Sequence, residues 1–248
     1  MNALQTTGLS KSFGALAVAQ SIDFALPQGA RHALIGPNGA GKTTFINLLT
    51  GLLAPSAGSI ELLGRDVTAI SAHRRCRQGL ARTFQINSLF PALTPLEAVT
   101  LAVCQRQGSA YRFLGRLSRQ NEAIDEAHAL LASLGLSEDC LRPTRELAYG
   151  QQRLLEIALA LATRPKVLLL DEPAAGVPRG ESEALFAAIA ALPDDLAILF
   201  IEHDMELVFR FARRITVLVG GRILREGSPA EIAADPEVQT VYLGSARR

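Results

Sequence analysis

No apolar run in this 248-residue sequence approaches the roughly 20 residues that a membrane-spanning helix requires. The longest, VLLL at Val167–Leu170 and LAILFI at Leu196–Ile201, have the length of strands. The opening MNALQTTGLSKSFG lacks the basic-then-apolar pattern of a secretory signal. The expectation is a chain soluble by itself, whose membrane business would run through a partner. Cysteine is scarce: Cys76, Cys104 and Cys140 are odd in number, widely spaced and form no C-x-x-C pair. That argues against a disulfide frame or a zinc site and for a reducing cytosol. Lysine is limited to Lys11, Lys42 and Lys166, and a net charge of +1 provides no basic field for nucleic acid or anionic lipid. Repeats and low-complexity tracts are absent. What remains is length enough for one large α/β domain or two compact ones, with a substantial core.

The order of patterns supplies an organisation. ARHALIG (Ala30–Gly36) reads as a strand entering a glycine-rich turn, and KTTFINLLTGLL as a helix with Phe45, Leu48, Leu49 and Leu52 on one side. This is the start of a parallel α/β unit. A mostly helical stretch follows from about Pro91 to Thr163. In it Thr94, Pro95 and Glu97 have the spacing of a capping box with proline at the first helical position. Ile124, Ala127, Leu131 and Leu134 fall at helical spacing before Gly135. Strand signals then resume in KVLLLDE and LAILFIEHD, apolar runs ending in acids, as in strands buried on both faces. RITVLVGGRILREG reads as a hairpin turning at Gly220–Gly221, and Ser228–Glu231 repeats the capping pattern at the head of a last helix.

GPNGAGKT, Gly36 to Thr43, fits G-x-x-x-x-G-K-[ST] without a mismatch. In that pattern glycines let the backbone wrap phosphate oxygens, and the helix behind them aims its positive dipole end at the charge. Lys42 is expected to reach the β- and γ-phosphates, Thr43 to ligand Mg²⁺, and Thr44 to add a phosphate contact. The loop residues Pro37, Asn38, Gly39, Ala40 and Gly41 complete the cradle. VLLLDE supplies Asp171 for the metal and Glu172 to polarise the attacking water. His203, in FIEHD, follows another core strand at the edge where ligands sit in open α/β sheets, and is read as a phosphate sensor. Gln85, in RTFQ, stands at the junction with the helical stretch. It is either a solvated junction residue or one whose amide reaches Mg²⁺ or the attacking water. LAYGQQ (Leu147–Gln152) places a glycine turn at a helix start, which is an anion site. Because the chain already has a phosphate loop, Gly150 and Gln151 are expected to face a γ-phosphate bound by a second subunit.

These motifs, in this order and across essentially the whole chain, resemble the ATP-binding subunits of ABC transporters. GPNGAGKT resembles the Walker A motif, RTFQ the Q-loop, LAYGQQ the signature motif, VLLLDE the Walker B motif, and His203 the switch histidine. Phe13 sits where that family often stacks an aromatic ring on adenine. The resemblance implies a RecA-like P-loop NTPase fold, α/β, with an N-terminal antiparallel β subdomain and an inserted helical subdomain. The implied boundaries are 1–87 and 164–248 for the core, 88–163 for the helices with the signature, and 228–248 for a tail helix. It also implies ATP and Mg²⁺, catalytic roles for Glu172, His203 and Gln85, metal contacts from Thr43, Gln85 and Asp171, and closure of a partner's site by Ala148, Tyr149, Gly150 and Gln151. Implied partners are integral membrane permeases, a second ABC ATPase subunit and, indirectly, a periplasmic solute-binding protein, with the chain peripheral on the cytoplasmic face of the membrane. LAYGQQRLLEIA, DEPAAG, IEHDMELV and VYLG resemble the branched-chain or hydrophobic amino acid uptake type. DEPAAGV and VYLG also resemble the ATPase of lipopolysaccharide export, and a soluble cluster-assembly ATPase has similar size. Two departures stand out. Ala148 replaces the signature serine, and Val177–Pro178–Arg179–Gly180 replaces the family's Asn–Pro or Asp–Pro pair.

Overall fold

The computed structural model describes residues 1–83, 89–108 and 121–245. In chain order its elements are β1 (Asn2–Phe13), β2 (Leu16–Pro27), β3 (Arg31–Ile35), α1 (Lys42–Thr50), β4 (Ala57–Leu62), β5 (Arg65–Asp66), α2 (Ala72–Arg77) and β6 (Leu80–Arg82). The helices α3 (Pro95–Arg106), α4 (Asn121–Ser133) and α5 (Tyr149–Leu161) come next. They are followed by β7 (Val167–Asp171), α6 (Arg179–Ala190), β8 (Ala197–Ile201), α7 (Met205–Phe211), β9 (Arg214–Val219), β10 (Arg222–Gly227), α8 (Pro229–Ala234) and α9 (Pro236–Ser245). Among the described residues no helix is long and apolar enough to cross a membrane.

Residues 1–82, 166–173 and 193–248 form one unit, and residues 83–165 and 174–192 form the other. The first unit holds both sheets. One is four-stranded and antiparallel, in the order β2-β1-β4-β5. The other is six-stranded, β10-β9-β3-β8-β7-β6, with parallel pairing from β9 to β6 and β10 antiparallel at the edge. Every residue of β3, β7 and β8 is buried; β8 and, up to Asp171, β7 are continuous apolar runs for that reason, whereas β3 opens with the buried polar residues Arg31 and His32. Helix α1 shares its core with both sheets: Phe45, Ile46, Leu48 and Leu49 pack with Leu4, Phe24, Leu34, Ile60, Leu169 and Leu199. Phe24 meets Phe45 edge-on, with ring centroids 5.5 Å apart.

Helix α1 stops at Thr50. Gly51 adopts φ +77° and returns its N–H to the Leu48 carbonyl, so Leu52, expected on the apolar face, lies beyond the helix and is half exposed. Arg75, which is 1% exposed, packs against this end. Its guanidinium donates to the Leu48 and Leu49 carbonyls at 2.7 and 2.6 Å, and to Ile70 and Thr68 at 2.9 and 3.1 Å. A positive charge thus closes the negative end of α1. A Cβ at residue 51 would stand 2.8 Å from the Arg75 Nε.

In the second unit, Thr94 and Glu97 make the reciprocal capping bonds of α3. Glu126 on α4 accepts two bonds of 2.7 Å from Arg106 of α3 and two more from Arg164 beyond α5, which ties the helices at one end. This unit also takes residues 174–192, which sequence reasoning had left with the core. Arg153 of α5 donates to the Ala175 carbonyl at 3.4 Å, and the Tyr149 ring lies where a side chain at Gly176 would stand. The C-terminal segment divides at Asp235, whose carboxylate accepts from Glu237 and Val238, and so forms two helices where one was expected.

A buried polar relay crosses the parallel sheet. The Thr216 hydroxyl donates to Glu226 at 2.8 Å, so it must accept from His32 Nε2 at 2.7 Å. Nε2 therefore carries a proton. Burial, with Arg214 adding to it and Glu226 opposing it, lowers the His32 pKa to about 4. The unfolded chain then takes up a proton before the folded one does, so stability is lost as pH falls from about 6.5 towards 4. Urea unfolding at pH 7 and pH 4.5 is expected to show a His32→Asn variant losing about 2–3 kcal/mol less than the wild type over that interval. Equal pH slopes would contradict the assignment.

Candidate functional site

Strand β3 ends at Ile35 and the chain turns through residues 36–41 into α1. The turn is packed from beneath by backbone. A Cβ on Gly36 would stand 2.1 Å from the Leu218 carbonyl oxygen, and one on Gly41 would stand 2.7 Å from that of Val18. Only glycine allows this approach. Gly41 is also the N-cap of α1. It makes no side-chain cap bond, and the first helical turn has no acidic residue. The leading N–H groups of a helix have no intrahelical acceptor, so this end is arranged for an external anion. Lys42 folds back over the loop, donating to the carbonyls of Gly36 at 2.7 Å and Pro37 at 3.1 Å. Burial lowers its pKa, while Glu172 and Asp171 act in the opposite direction. Both acids thus lie within electrostatic reach of the lysine.

Strand order produces that convergence. β8 lies between β3 and β7, and Ile201 is in register with Leu34 on one side and Asp171 on the other. Asp171 is buried, and its Oδ2 accepts from Arg82 Nη2 at 2.7 Å. Arg82, the last residue of the neighbouring β6, also donates from Nη1 to Asn47 Oδ1 of α1 at 2.6 Å. Glu172 follows with φ +48°, a left-handed conformation held by its N–H bond to the Ile201 carbonyl at 3.1 Å. A non-glycine residue there costs on the order of 1–3 kcal/mol and persists where the surroundings dictate it.

Beyond β8 the three residues of EHD take separate positions. Glu202 is buried and accepts the His203 backbone N–H at 3.2 Å. The His203 imidazole projects outward with its side chain 73% exposed and Nδ1 3.8 Å from the Glu202 carboxylate. Asp204 caps α7 through the N–H groups of Glu206 and Leu207. Phe13 ends β1 half exposed, with the Lys11 ammonium 5.1 Å from its ring centroid and bonded to the Ala54 carbonyl. Thr43 is exposed on the first turn of α1, with Thr44 beside it. Gln85 lies outside the described residues.

In the second unit, α5 begins where the LAYGQQ turn was expected. Ala148 stands at the N-cap and has no side-chain acceptor. Gln151 makes the reverse half of a capping box, its Oε1 accepting from the Ala148 N–H at 2.9 Å, and its Nε2 donates to Asp139. The Gln151 carboxamide is thereby engaged within its own unit rather than turned outward. Gly150 is buried against Glu181 of α6, whose Oε2 accepts the Gly150 N–H at 3.3 Å. A carboxylate of the chain itself thus stands at the positive end of α5. Tyr149 accepts from Arg153 through its hydroxyl at 3.0 Å.

Sequence reasoning missed Arg75, Arg82, Glu181 and Glu202. Only the strand order would have paired Arg82 with Asp171, and no local pattern marks the others. Two outcomes follow from this geometry. Arg82→Met leaves the Asp171 carboxylate buried without its guanidinium and is expected to cost about 3–5 kcal/mol in urea unfolding. Adding Asp171→Asn should recover part of that loss, and strictly additive losses would contradict the pairing. Ala148→Ser completes the capping box and is expected to add about 1 kcal/mol of stability in thermal unfolding, whereas a decrease would contradict the cap assignment.

The ABC transporter family pattern matches residues 19–175. A second pattern, described as branched-chain amino acid ATP-binding cassette transporter, matches residues 222–247. The chain is 39% identical to the high-affinity branched-chain amino acid transport ATP-binding protein BraF of Pseudomonas aeruginosa, over 98% of each chain. It is 40% identical to the corresponding LivG of Salmonella typhimurium, again over 98% of each. Among solved structures, the ADP conformation of MJ1267, an ATP-binding cassette of an ABC transporter, superposes with a TM-score of 0.86 at 29% identity, covering 98% of this chain and 99% of that one. The phosphate-loop geometry and this near-complete likeness lead to one conclusion: the chain belongs to the ABC transporter family, as an ATP-binding cassette that hydrolyses ATP.

Proposed function

We propose that the chain is the peripheral ATPase subunit of an importer for branched-chain amino acids, docked on integral permeases at the cytoplasmic face of the membrane and working beside a second cassette. The observation that carries this reading is identity of about 40% along nearly the whole chain with proteins named for that transport. The match of residues 222–247 to the branched-chain pattern agrees with it.

In this reading residues 36–44 wrap the triphosphate, and Phe13 stacks on the adenine. Lys42 leaves the Gly36 and Pro37 carbonyls for the β- and γ-phosphate oxygens, exchanging neutral acceptors for charged ones. Asp171 and Thr43 offer one carboxylate and one hydroxyl, a fitting partial donor set for Mg²⁺, which takes the rest of its shell from phosphate and water. The metal, when bound, neutralises charge building on the β- and γ-oxygens. Arg82 holds one oxygen of Asp171, which fixes the direction of the other. Glu172 orients a water for in-line attack on the γ-phosphorus. The bond to the bridging oxygen breaks, and ADP and phosphate leave. His203 is assigned to the γ-phosphate and Gln85 to the metal or water shell, and the Ala148–Gln151 turn of the second cassette closes the site, which requires its Gly150 N–H to exchange the Glu181 carboxylate for phosphate oxygen.

The expected outcome for Glu172→Gln, in the assembled transporter, is binding of Mg²⁺–ATP with near wild-type affinity and hydrolysis slowed by about 100-fold or more, within the range a positioned general base contributes. Wild-type turnover would remove Glu172 from the mechanism. In cells lacking the chain, uptake of labelled leucine should return with the wild-type gene and not with Lys42→Ala. Full uptake without the chain would overturn the substrate assignment.

A further inference from the structure

The turn between β9 and β10 lies directly beneath the phosphate loop. Gly221 donates its N–H to the Ala40 carbonyl at 3.0 Å and accepts from the Gln20 N–H at 2.8 Å. The Gln20 side chain adds a second latch. Its Nε2 donates to the Gly220 carbonyl at 3.0 Å, and its Oε1 accepts from Arg222 at 2.8 and 3.1 Å. The loop is thus held at three points by backbone from β2 and from the β9–β10 hairpin: Gly36 against the Leu218 carbonyl, Ala40 by the Gly221 N–H, and Gly41 against the Val18 carbonyl. Gly221 itself leaves no room, since a Cβ there would stand 2.3 Å from the Val18 oxygen.

We propose that Gly221, latched by Gln20, is a positioning residue for the phosphate loop and sets its affinity for nucleotide. The argument is geometric. Any side chain at 221 must push the turn away from Val18, and that retreat withdraws the N–H that holds Ala40. The loop then loses a restraint in the middle of its arc, between the two glycines that touch the same scaffold. A loop that must be ordered by its ligand binds that ligand less tightly than one held in shape beforehand. Asp171 and Glu172 stand at the end of β7, which pairs with β6 and β8 and not with the β9–β10 hairpin. The effect therefore belongs in affinity and not in turnover.

The proposal rests on the phosphate loop being the nucleotide site. Its test uses the full chain, a fluorescent ATP analogue for Kd, and steady-state ATPase in the assembled transporter. Gly64 provides a matched control: its φ of +75° is almost that of Gly221 at +76°, yet a Cβ there would meet only the Met1 methyl, at 3.8 Å. Gly221→Ala is expected to raise Kd and KM for ATP by about tenfold or more, with kcat at saturation within about twofold. Gly64→Ala carries the same backbone strain and should leave Kd unchanged. Gln20→Ala, which removes the side-chain latch without strain, should raise Kd by about threefold, and it decides the question if Gly221→Ala does not fold. Equal weakening by Gly64→Ala and Gly221→Ala, or a fall in kcat without a change in Kd, would overturn the proposal. If the wild-type chain binds ATP and Gly221→Ala and Gln20→Ala match it, the brace alone fails. If the wild type does not bind ATP, the phosphate-loop reading fails with it.

Discussion

Helix α1 is satisfied at one end only, and the rest of the site depends on that asymmetry. Its C-terminal carbonyls receive the buried Arg75 guanidinium, while its N-terminus has glycine for a cap and no acid in its first turn. The positive end of the helix macrodipole is therefore left for a ligand. Lys42 lies on that first turn and donates to the Gly36 and Pro37 carbonyls. Phosphate oxygens suit both the lysine and the leading N–H groups of a helix that lacks a side-chain cap.

The first unit manages its buried cations by two different means. Arg75 and Arg31 are surrounded by backbone carbonyls, with Arg31 donating to Leu196 at 2.6 Å and Pro193 at 3.1 Å. Desolvation lowers the pKa of both. These are structural cations, each pinning the end of a segment. Arg82 differs in facing a carboxylate, and that carboxylate is Asp171 at the C-terminal end of β7. One guanidinium joins β6, β7 and α1 there, so the direction of the acid is fixed by the fold.

How much of this was legible in the sequence depended on range. The phosphate loop, the buried strands and the capping boxes at Thr94 and Ser228 are written in neighbouring residues, and local rules find them. Leu52 was misplaced because the apolar spacing was followed past Gly51, whose left-handed turn ends α1. The resemblance placed residues 174–192 with the core, whereas Tyr149 and Arg153 of α5 meet the loop that leads into α6. Pairs such as Arg82 with Asp171, Glu181 with Gly150, and His32 with Thr216 join distant segments. They become visible only once the strands and helices are in place.

The account's central claim is that the open end of α1 recognises a phosphate chain rather than a nucleoside. Calorimetric titration of the wild-type chain with ATP, ADP, AMP and adenosine tests it most directly. The account predicts strong binding for ATP and ADP, a sharp fall at AMP and no measurable binding of adenosine. Adenosine binding as tightly as ATP would contradict it.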